Sequence, residues 1–583
     1  MNIMLLRSNR TRTLVWIMLA IGAIYIVRLF VLQIIQNDYY EAEALNEHMA
    51  KFSIPATRGL IYAKDGASSN VPLALNEPAY TAYADPRYVD DVEGTTTFLR
   101  KIAGGNLVDG FEESLSDKDR QYAVMAKMLN NDQAKLVKEE NLPGIGLQKQ
   151  ERRVYPEGQM GAQLLGYVNS EGVGQYGVEQ QLNDMLSGAD GMLKTVTDVN
   201  GIPISISDED IQTPAQNGQD LLLNIDRNVQ AYVEQALKDG LEKANAKTGS
   251  AIVMDPQTGA VLAMADCPTY DPAKYYEVSD YDLFVNHVVS DPYEAGSVIK
   301  SLTMATGLNE GVVSPNSTYQ NTGSVQVDDA NIKNVLQSVS GTRSMTEVLE
   351  YSLNTGVVHV LQQLGGGEIN RTARDKLYGY FSDRFMFGKL TGIEQAWESP
   401  GRIIAPDQAE GNNVRYANMT FGQGMDTTMV QVAAAFSSAI NGGTYYKPQV
   451  VDAYLKDGEI SQDINPEIIK AGVITADTSN KLKQMLVEAR SKSFKNIDKS
   501  GYTVGGKTGT SQVIDPETGK YTDDNAIGSY VGFGGNDAPQ YVIMVRVKDA
   551  KISSSETAGA VTAPIFADIS NWMLDYLKIQ PKS

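Results

Sequence analysis

Residues 293–305 read YEAGSVIKSLTMA, and the lysine in that stretch, Lys300, decides how the rest of the chain is read. Val298, Ile299, Leu302, Met304 and Ala305 surround it, the makings of a helix that will be largely buried. A lysine there must shed most of its water, which is costly unless something pairs with it or it titrates. Ser297 stands three residues earlier, a spacing that puts both side chains on one helix face. One reading is a helix cap followed by a snorkelling lysine. The other is a nucleophile with its base. A serine hydroxyl is a poor nucleophile until its proton is taken, and a desolvated lysine has its pKa lowered toward neutrality.

Scarce residue types narrow the choice. The single cysteine, Cys267, excludes an internal disulfide and a thiolate metal cluster. The three histidines, His48, His287 and His359, lie far apart, with no H-E-x-x-H pattern and no G-x-S-x-G elbow. Nucleophilic chemistry here therefore needs a base other than histidine. With 583 residues the chain is too long for one core, so two or more domains are expected. The net charge of −21, from 71 acidic and 50 basic residues, argues against a nucleic-acid surface.

Residues 14–35, LVWIMLAIGAIYIVRLFVLQII, are apolar and long enough to cross a bilayer as a helix. Arg7, Arg10 and Arg12 precede them and the acidic QNDYYEAEALNE follows, so the positive-inside rule predicts a cytoplasmic N-terminus and an external remainder. A cleavable signal would end in a small-x-small site, and QIIQNDYY offers none, so an uncleaved signal anchor is expected. Arg28 interrupts the span. It either snorkels to the interface or pairs with a polar group on another membrane helix.

Beyond the span, a continued helix from 36 leads to a strand and a turn at ATRGLIYAKDG (56–66). Residues 84–145 are expected to be helix-rich, with DRQYAVMAKMLNNDQAKLVKEE (119–140) an amphipathic run. The polar SDEDIQTPAQNGQD (207–220) marks a domain boundary. After it, NIDRNVQAYVEQALKDGLEKANA reads as a long helix starting at Asp226. SAIVMD, PQTG and AVLAMA read as a β-hairpin. Helices dominate 294–440, and strands return at YTVGGKTGTSQV, AIGSYVGFGGN and QYVIMVRV. That order predicts one mixed sheet built from both ends of the domain with helices packed on it.

Ser297 is the only serine followed at +3 by lysine. Two further groups complete a set. Ser352-Leu353-Asn354 supplies a hydroxyl to relay protons and an amide to bond a lysine or a substrate peptide group. SSN (68–70) and SPN (314–316) share its letters without its setting. Lys507-Thr508-Gly509-Thr510 places a cation, hydroxyls and a glycine on a strand whose edge suits an extended peptide with an anionic terminus. Lys247-Thr248-Gly249 repeats the letters but precedes Ser297, and is read as a helix end with a glycine exit.

In this order, S-x-x-K, S-x-N and K-T-G-T are the set of penicillin-binding proteins and β-lactamases. The chain resembles a class B penicillin-binding protein, a monofunctional peptidoglycan D,D-transpeptidase. The likeness runs through the anchor, ATRGLIYAKDG, ERRVYPEG, GQYGVE, AIVMDPQTGAVLAM, YEAGSVIK, FGQGMD and VGGKTGT. Ala295 and Leu353 stand where family members often have Pro and Ser. The resemblance implies an α+β chain in four parts: a cytoplasmic tail (1–13), a transmembrane signal anchor (14–35), an elongated pedestal (36–215) and a transpeptidase domain (216–583), with no further module.

It also implies roles. Ser297 attacks the penultimate D-Ala carbonyl of a stem peptide ending in D-Ala-D-Ala, and Lys300 takes its proton. Backbone N–H groups of Ser297 and Thr510 form an oxyanion hole, worth about 3–4 kcal/mol of barrier. Ser352 and Asn354 handle protons and the acyl chain, and Lys507, Thr508, Gly509 and Thr510 receive the substrate carboxylate. No cofactor or metal is implied. Implied partners are peptidoglycan stem peptides, β-lactams and a polytopic membrane glycosyltransferase of the shape, elongation, division and sporulation family. ERRVYPEG and GQYGVE lean toward division. Gly422 and Gly424 either shape a loop under the site or permit a turn, and Arg58 and Gly59 either brace the pedestal or mark a strand end. Two alternatives share the fold: a carboxypeptidase or β-lactamase in which water resolves the acyl-enzyme, and a β-lactam sensor or silent scaffold. The long pedestal speaks against the first. The intact motifs, and the thirteen residues before the span, speak against the second.

Overall fold

The computed structural model of the chain describes residues 9–37, 39, 49–66, 69–196, 211–456, 458–494, 496–514, 521–550 and 559–582. Two compact units emerge, one from Met1–Thr57 with Gly188–Gly218, the other from Arg58–Ser187 with Gln219–Ser583. In the first, helix Asn9–Phe30 runs into a π-helical turn at Val31–Ile35. Its Trp16, Ile24 and Phe30 are exposed, so the apolar surface is turned outward rather than into a core. Among the described residues this is the one helix, over Arg12–Ile35, long and apolar enough to cross a membrane. The helix expected beyond it falls largely on residues 38 and 40–48, outside the described residues. Strands Met49–Ile54, Gly191–Val196 and Ile211–Thr213 form an antiparallel sheet, so part of the polar 207–220 stretch is ordered into a strand.

In the second unit a seven-stranded sheet joins early and late sequence. Its order is Glu459–Asp463, Val451–Lys456, Asp220–Asp226, Ile61–Asp65, Ser69–Ala84 and Ala123–Leu129, with Ile145–Val154 also on the long Ser69–Ala84 strand. Asp220–Asp226 pairs with Ile61–Asp65 in parallel and the other pairings are antiparallel. The run 119–140 is not one helix. It divides into strand Ala123–Leu129 and helix Asn131–Glu140. Asn130 makes the break: its side chain accepts from Gln133 N–H, and the Gln133 side chain accepts from Asn130 N–H in return. The residues before it bury Ala123, Met125 and Ala126, which wins over helical periodicity.

The three early motifs meet in one buried ion cluster. Arg58 donates to Glu179 Oε2 from Nη2 at 2.6 Å and from Nε at 2.8 Å, and Arg153 Nε donates to Glu179 Oε1 at 2.7 Å. Asn76 links the pair, donating to the Arg58 carbonyl and accepting from Arg153. Beside it Gly59 lies against the Gln219 carbonyl, where a Cβ would come to 2.0 Å. Arg58 and Gly59 thus lock the start of the unit rather than merely ending a strand. Glu179→Gln leaves two buried guanidiniums under-compensated and is expected to cost about 3–5 kcal/mol. An earlier urea transition is the expected result; an unmoved one would show the charge to be dispensable.

The five-stranded sheet is built from both ends of its region, in the order Val261–Cys267, Thr248–Met254, Pro539–Ala550, Tyr521–Gly535 and Thr503–Ile514, with every pairing antiparallel. Helices Arg227–Ala244 and Gly559–Tyr576 cover one face. Asp226 caps the first of these, accepting from Asn228 and Val229 N–H. That helix leaves through Asn245 in the left-handed region, so Thr248 and Gly249 open a strand rather than close a helix. The other face meets the largest core, in which every residue of helix Met429–Ile440 is buried. Helix Lys300–Asn309 is buried from Lys300 to Leu308.

Candidate active site

Ser297 lies in a 3-10 turn, Gly296–Ile299, that leads directly into helix Lys300–Asn309. Gly296 makes the turn possible. It sits at φ +65°, and a Cβ there would come within 2.4 Å of the Thr510 carbonyl. On its other side Gly296 N–H donates to the Gly422 carbonyl, and Gly424 N–H donates to Glu294 at 2.7 Å. FGQGMD is therefore the floor under the Ser297 segment. Ser297 is half-buried, and its hydroxyl makes no hydrogen bond with a described residue.

Lys300 is fully buried, and its amine turns to Ser352, donating to the carbonyl at 2.6 Å and to Oγ at 3.1 Å. Lys507, also buried, donates to the same Oγ at 2.9 Å and to Thr508. The chain bends sharply to present that hydroxyl. Helix Met345–Glu350 stops, Ser352 adopts φ +55°, and Asn354 opens helix Asn354–Leu364. A left-handed serine is strained, the kind of conformation kept where a site requires it. With two amines donating to its lone pairs, the Ser352 hydroxyl has its own hydrogen left to donate.

No carboxylate pairs with either lysine among the described residues. Burial and the neighbouring Lys507 charge hold the Lys300 amine well below the usual lysine range. Burial brings Lys507 down to about 7. The site therefore holds one amine suited to accept a proton and a second amine with no carboxylate partner among the described residues, a combination suited to an acyl substrate carrying a carboxylate.

Thr503–Ile514 is the edge strand of its sheet, with Thr508 paired to Tyr530, Gly509 to Ser529 and Thr510 to Gly528. Gly509 lets the Ser297 turn rest on the strand, since a Cβ there would come within 2.8 Å of the Ala295 carbonyl. Thr510 is exposed beside Gly296. Asn354 is the residue least drawn in: its amide donates to the Lys333 carbonyl at 2.8 Å and bonds neither lysine. The hairpin strands Ser324–Val327 and Ala330–Lys333 thus border the S-x-N turn, a neighbour that no motif in the sequence announces.

Comparison with known proteins matches residues 249–571 to the family described as the penicillin-binding protein transpeptidase domain. The chain belongs to that family. Residues 53–223 of this transpeptidase match the penicillin-binding protein dimerisation domain. It is 30% identical to stage V sporulation protein D of Bacillus subtilis, over 95% of this chain and 84% of the relative. It is 27% identical to the peptidoglycan D,D-transpeptidase FtsI of Escherichia coli, over 94% and 89%. The fold matches penicillin-binding protein 3 of Mycobacterium tuberculosis, solved with aztreonam, with a TM-score of 0.69 at 24% identity over 91% of this chain and 98% of that one. The transpeptidase is a serine-type peptidoglycan D,D-transpeptidase, an α+β protein of cell-wall synthesis.

Proposed function

We propose that Ser297 is the acylated residue of this transpeptidase, with Lys300 as its base. The observation that carries the reading is the buried, carboxylate-free Lys300 amine one turn from Ser297, sharing the Ser352 hydroxyl with Lys507. Ser297 Oγ attacks the carbonyl carbon of the penultimate D-Ala in a stem peptide. Its proton goes to Lys300 and reaches the departing D-Ala nitrogen through Ser352 as the peptide C–N bond breaks. Lys507, Thr508 and Thr510 receive the terminal carboxylate, and Gly509 keeps the strand close to the nucleophile turn. Ser297 and Thr510 N–H groups stabilise the oxyanion. Asn354 swings its amide from the Lys333 carbonyl to the bound peptide. An amine of a neighbouring stem then attacks the ester, closes the cross-link and returns the proton to the serine.

The same carbonyl geometry admits a β-lactam, the class of ligand named for the matched Mycobacterium tuberculosis structure. Residues 14–35 anchor the chain with residues 1–13 cytoplasmic, 36–215 form the pedestal and 216–583 the transpeptidase domain outside the membrane. A polytopic glycosyltransferase is the partner and division the setting. Protease protection in sealed vesicles checks the topology, and co-purification from membranes, with and without Arg28→Leu, checks the partner. The chemistry is tested by intact mass of the solubilised full chain after benzylpenicillin, with the modified peptide mapped. A persistent adduct on Ser297 is expected. An adduct elsewhere would move the nucleophile, one that hydrolyses rapidly would make the protein a hydrolase, and none in folded protein would leave a scaffold.

A further inference from the structure

The face of the five-stranded sheet beneath the nucleophile segment carries a buried polar row. Asp266, Ser250, Arg546, Ser529 and Gly509 stand directly opposite one another on successive strands, spanning the sheet from edge to edge. The four side chains are each buried, and Asp266, Arg546 and Ser529 hold the segment 287–297 at successive points, with Ser250 linking Asp266 to Arg546. Asp266 accepts from His287 N–H at 3.2 Å and from Ser250 Oγ at 2.6 Å. The Arg546 guanidinium meets the Asp291 carboxylate at 3.0 Å, donates to the His287 and Asp291 carbonyls, and lies 4.8 Å from the Tyr293 ring centre. Ser529 Oγ donates to the Ala295 carbonyl at 3.2 Å, and Gly509 gives the turn room. From the opposite side Tyr293 exchanges backbone bonds with Thr427 at 2.9 and 3.0 Å.

Stability alone does not account for the row. An apolar strip of similar volume would avoid the desolvation of a buried arginine and a buried carboxylate. The cluster also leaves Arg546 Nε buried without a hydrogen bond. What the row does is fix, from the sheet side, the backbone that ends in Ser297. We infer that Arg546 is a positioning residue for the reaction, setting Ser297 through Asp291 and Tyr293, with Ser529 as the second fixed point at Ala295. The inference rests on Ser297 being the nucleophile.

The test separates binding from acylation in the full chain, using benzylpenicillin and time-resolved mass measurement on Arg546→Met, Arg546→Lys and Ser529→Ala. A small displacement of a reacting group costs rate rather than affinity, so Arg546→Met is expected to slow the acylation step about a hundredfold with noncovalent affinity nearly unchanged. Arg546→Lys, which keeps the Asp291 charge pair but not the stacking, is expected to recover about a tenth of the lost rate, and Ser529→Ala to lose several-fold. Unchanged acylation in folded variants, even with lowered thermal stability, would make the row purely structural and overturn the inference. So would affinity falling in parallel with rate. If Arg546→Met fails to fold, unchanged rates in the other two variants overturn it equally. A parent chain that does not acylate at Ser297 would instead refute the catalytic reading beneath.

Discussion

Replacing Ser297 by alanine is expected to abolish acylation, with a loss on the order of a millionfold, the scale seen when an acylating serine is removed. The variant should fold normally, because the Ser297 hydroxyl bonds no described residue and the turn around it is set by Gly296. That contrast makes the result diagnostic. Noncovalent β-lactam binding should persist, since Lys507, Thr508 and Thr510 are untouched, while the covalent adduct disappears from the mass spectrum. Retention of an adduct at its normal rate would show that a different side chain carries the acyl group.

Lys300→Met comes second, with an expected loss of about a thousandfold, within the range for removing a general base. Methionine is of similar length and apolar, so the buried position stays filled while the Ser352 carbonyl loses the donor that Lys300 supplied. The pH profile carries the sign. On the proposed mechanism acylation requires neutral Lys300, so the rate is expected to rise as pH climbs through a pKa that burial and the Lys507 charge hold well below 10.5. Lys507 must be charged to receive a carboxylate, so free-enzyme efficiency falls above about 7, giving a bell. Lys300→Met should erase the rising limb and leave the falling one. A rising limb that survives would assign the base elsewhere.

The same burial makes a stability statement. The folded Lys507 pKa of about 7 lies below the ordinary 10.5, so between those values the unfolded chain binds more protons and stability increases with pH. Below about 7 the cost of burying the charge is fully present.

The parts of the fold legible in the sequence were those where chemistry and periodicity agreed. The hairpin around PQTG, the Asp226-capped helix and the three terminal strands each carry local signals that tertiary structure keeps. The 119–140 run misled because an apolar strand followed by a capped helix imitates one amphipathic helix, and only the partner strand Ser69–Ala84 decides between them. In the site, serine and lysine spacing announced Ser297, Lys300, Ser352 and Lys507. The side-chain direction of Asn354 was not readable, because its bond to the Lys333 carbonyl depends on a hairpin twenty-one residues away. The polar row was invisible for a related reason. Ser250, Arg546 and Ser529 are ordinary residues until pairing brings their strands into register.

That pairing has a consequence for how the protein comes into being. Strand Thr248–Met254 is held by Pro539–Ala550, and Lys507 reaches Ser352 across 155 residues of chain. A polypeptide emerging N-terminus first exposes Ser297 long before the strands that complete its surroundings have left the ribosome. Such distant pairing is slow to form. The nascent chain therefore carries Ser297 without the strand that completes its surroundings, and on the proposed mechanism activity is expected only once the last strands arrive. A product truncated before residue 503 keeps Ser297 and Lys300 yet lacks the strand that supplies Lys507, and is expected to form no adduct with benzylpenicillin.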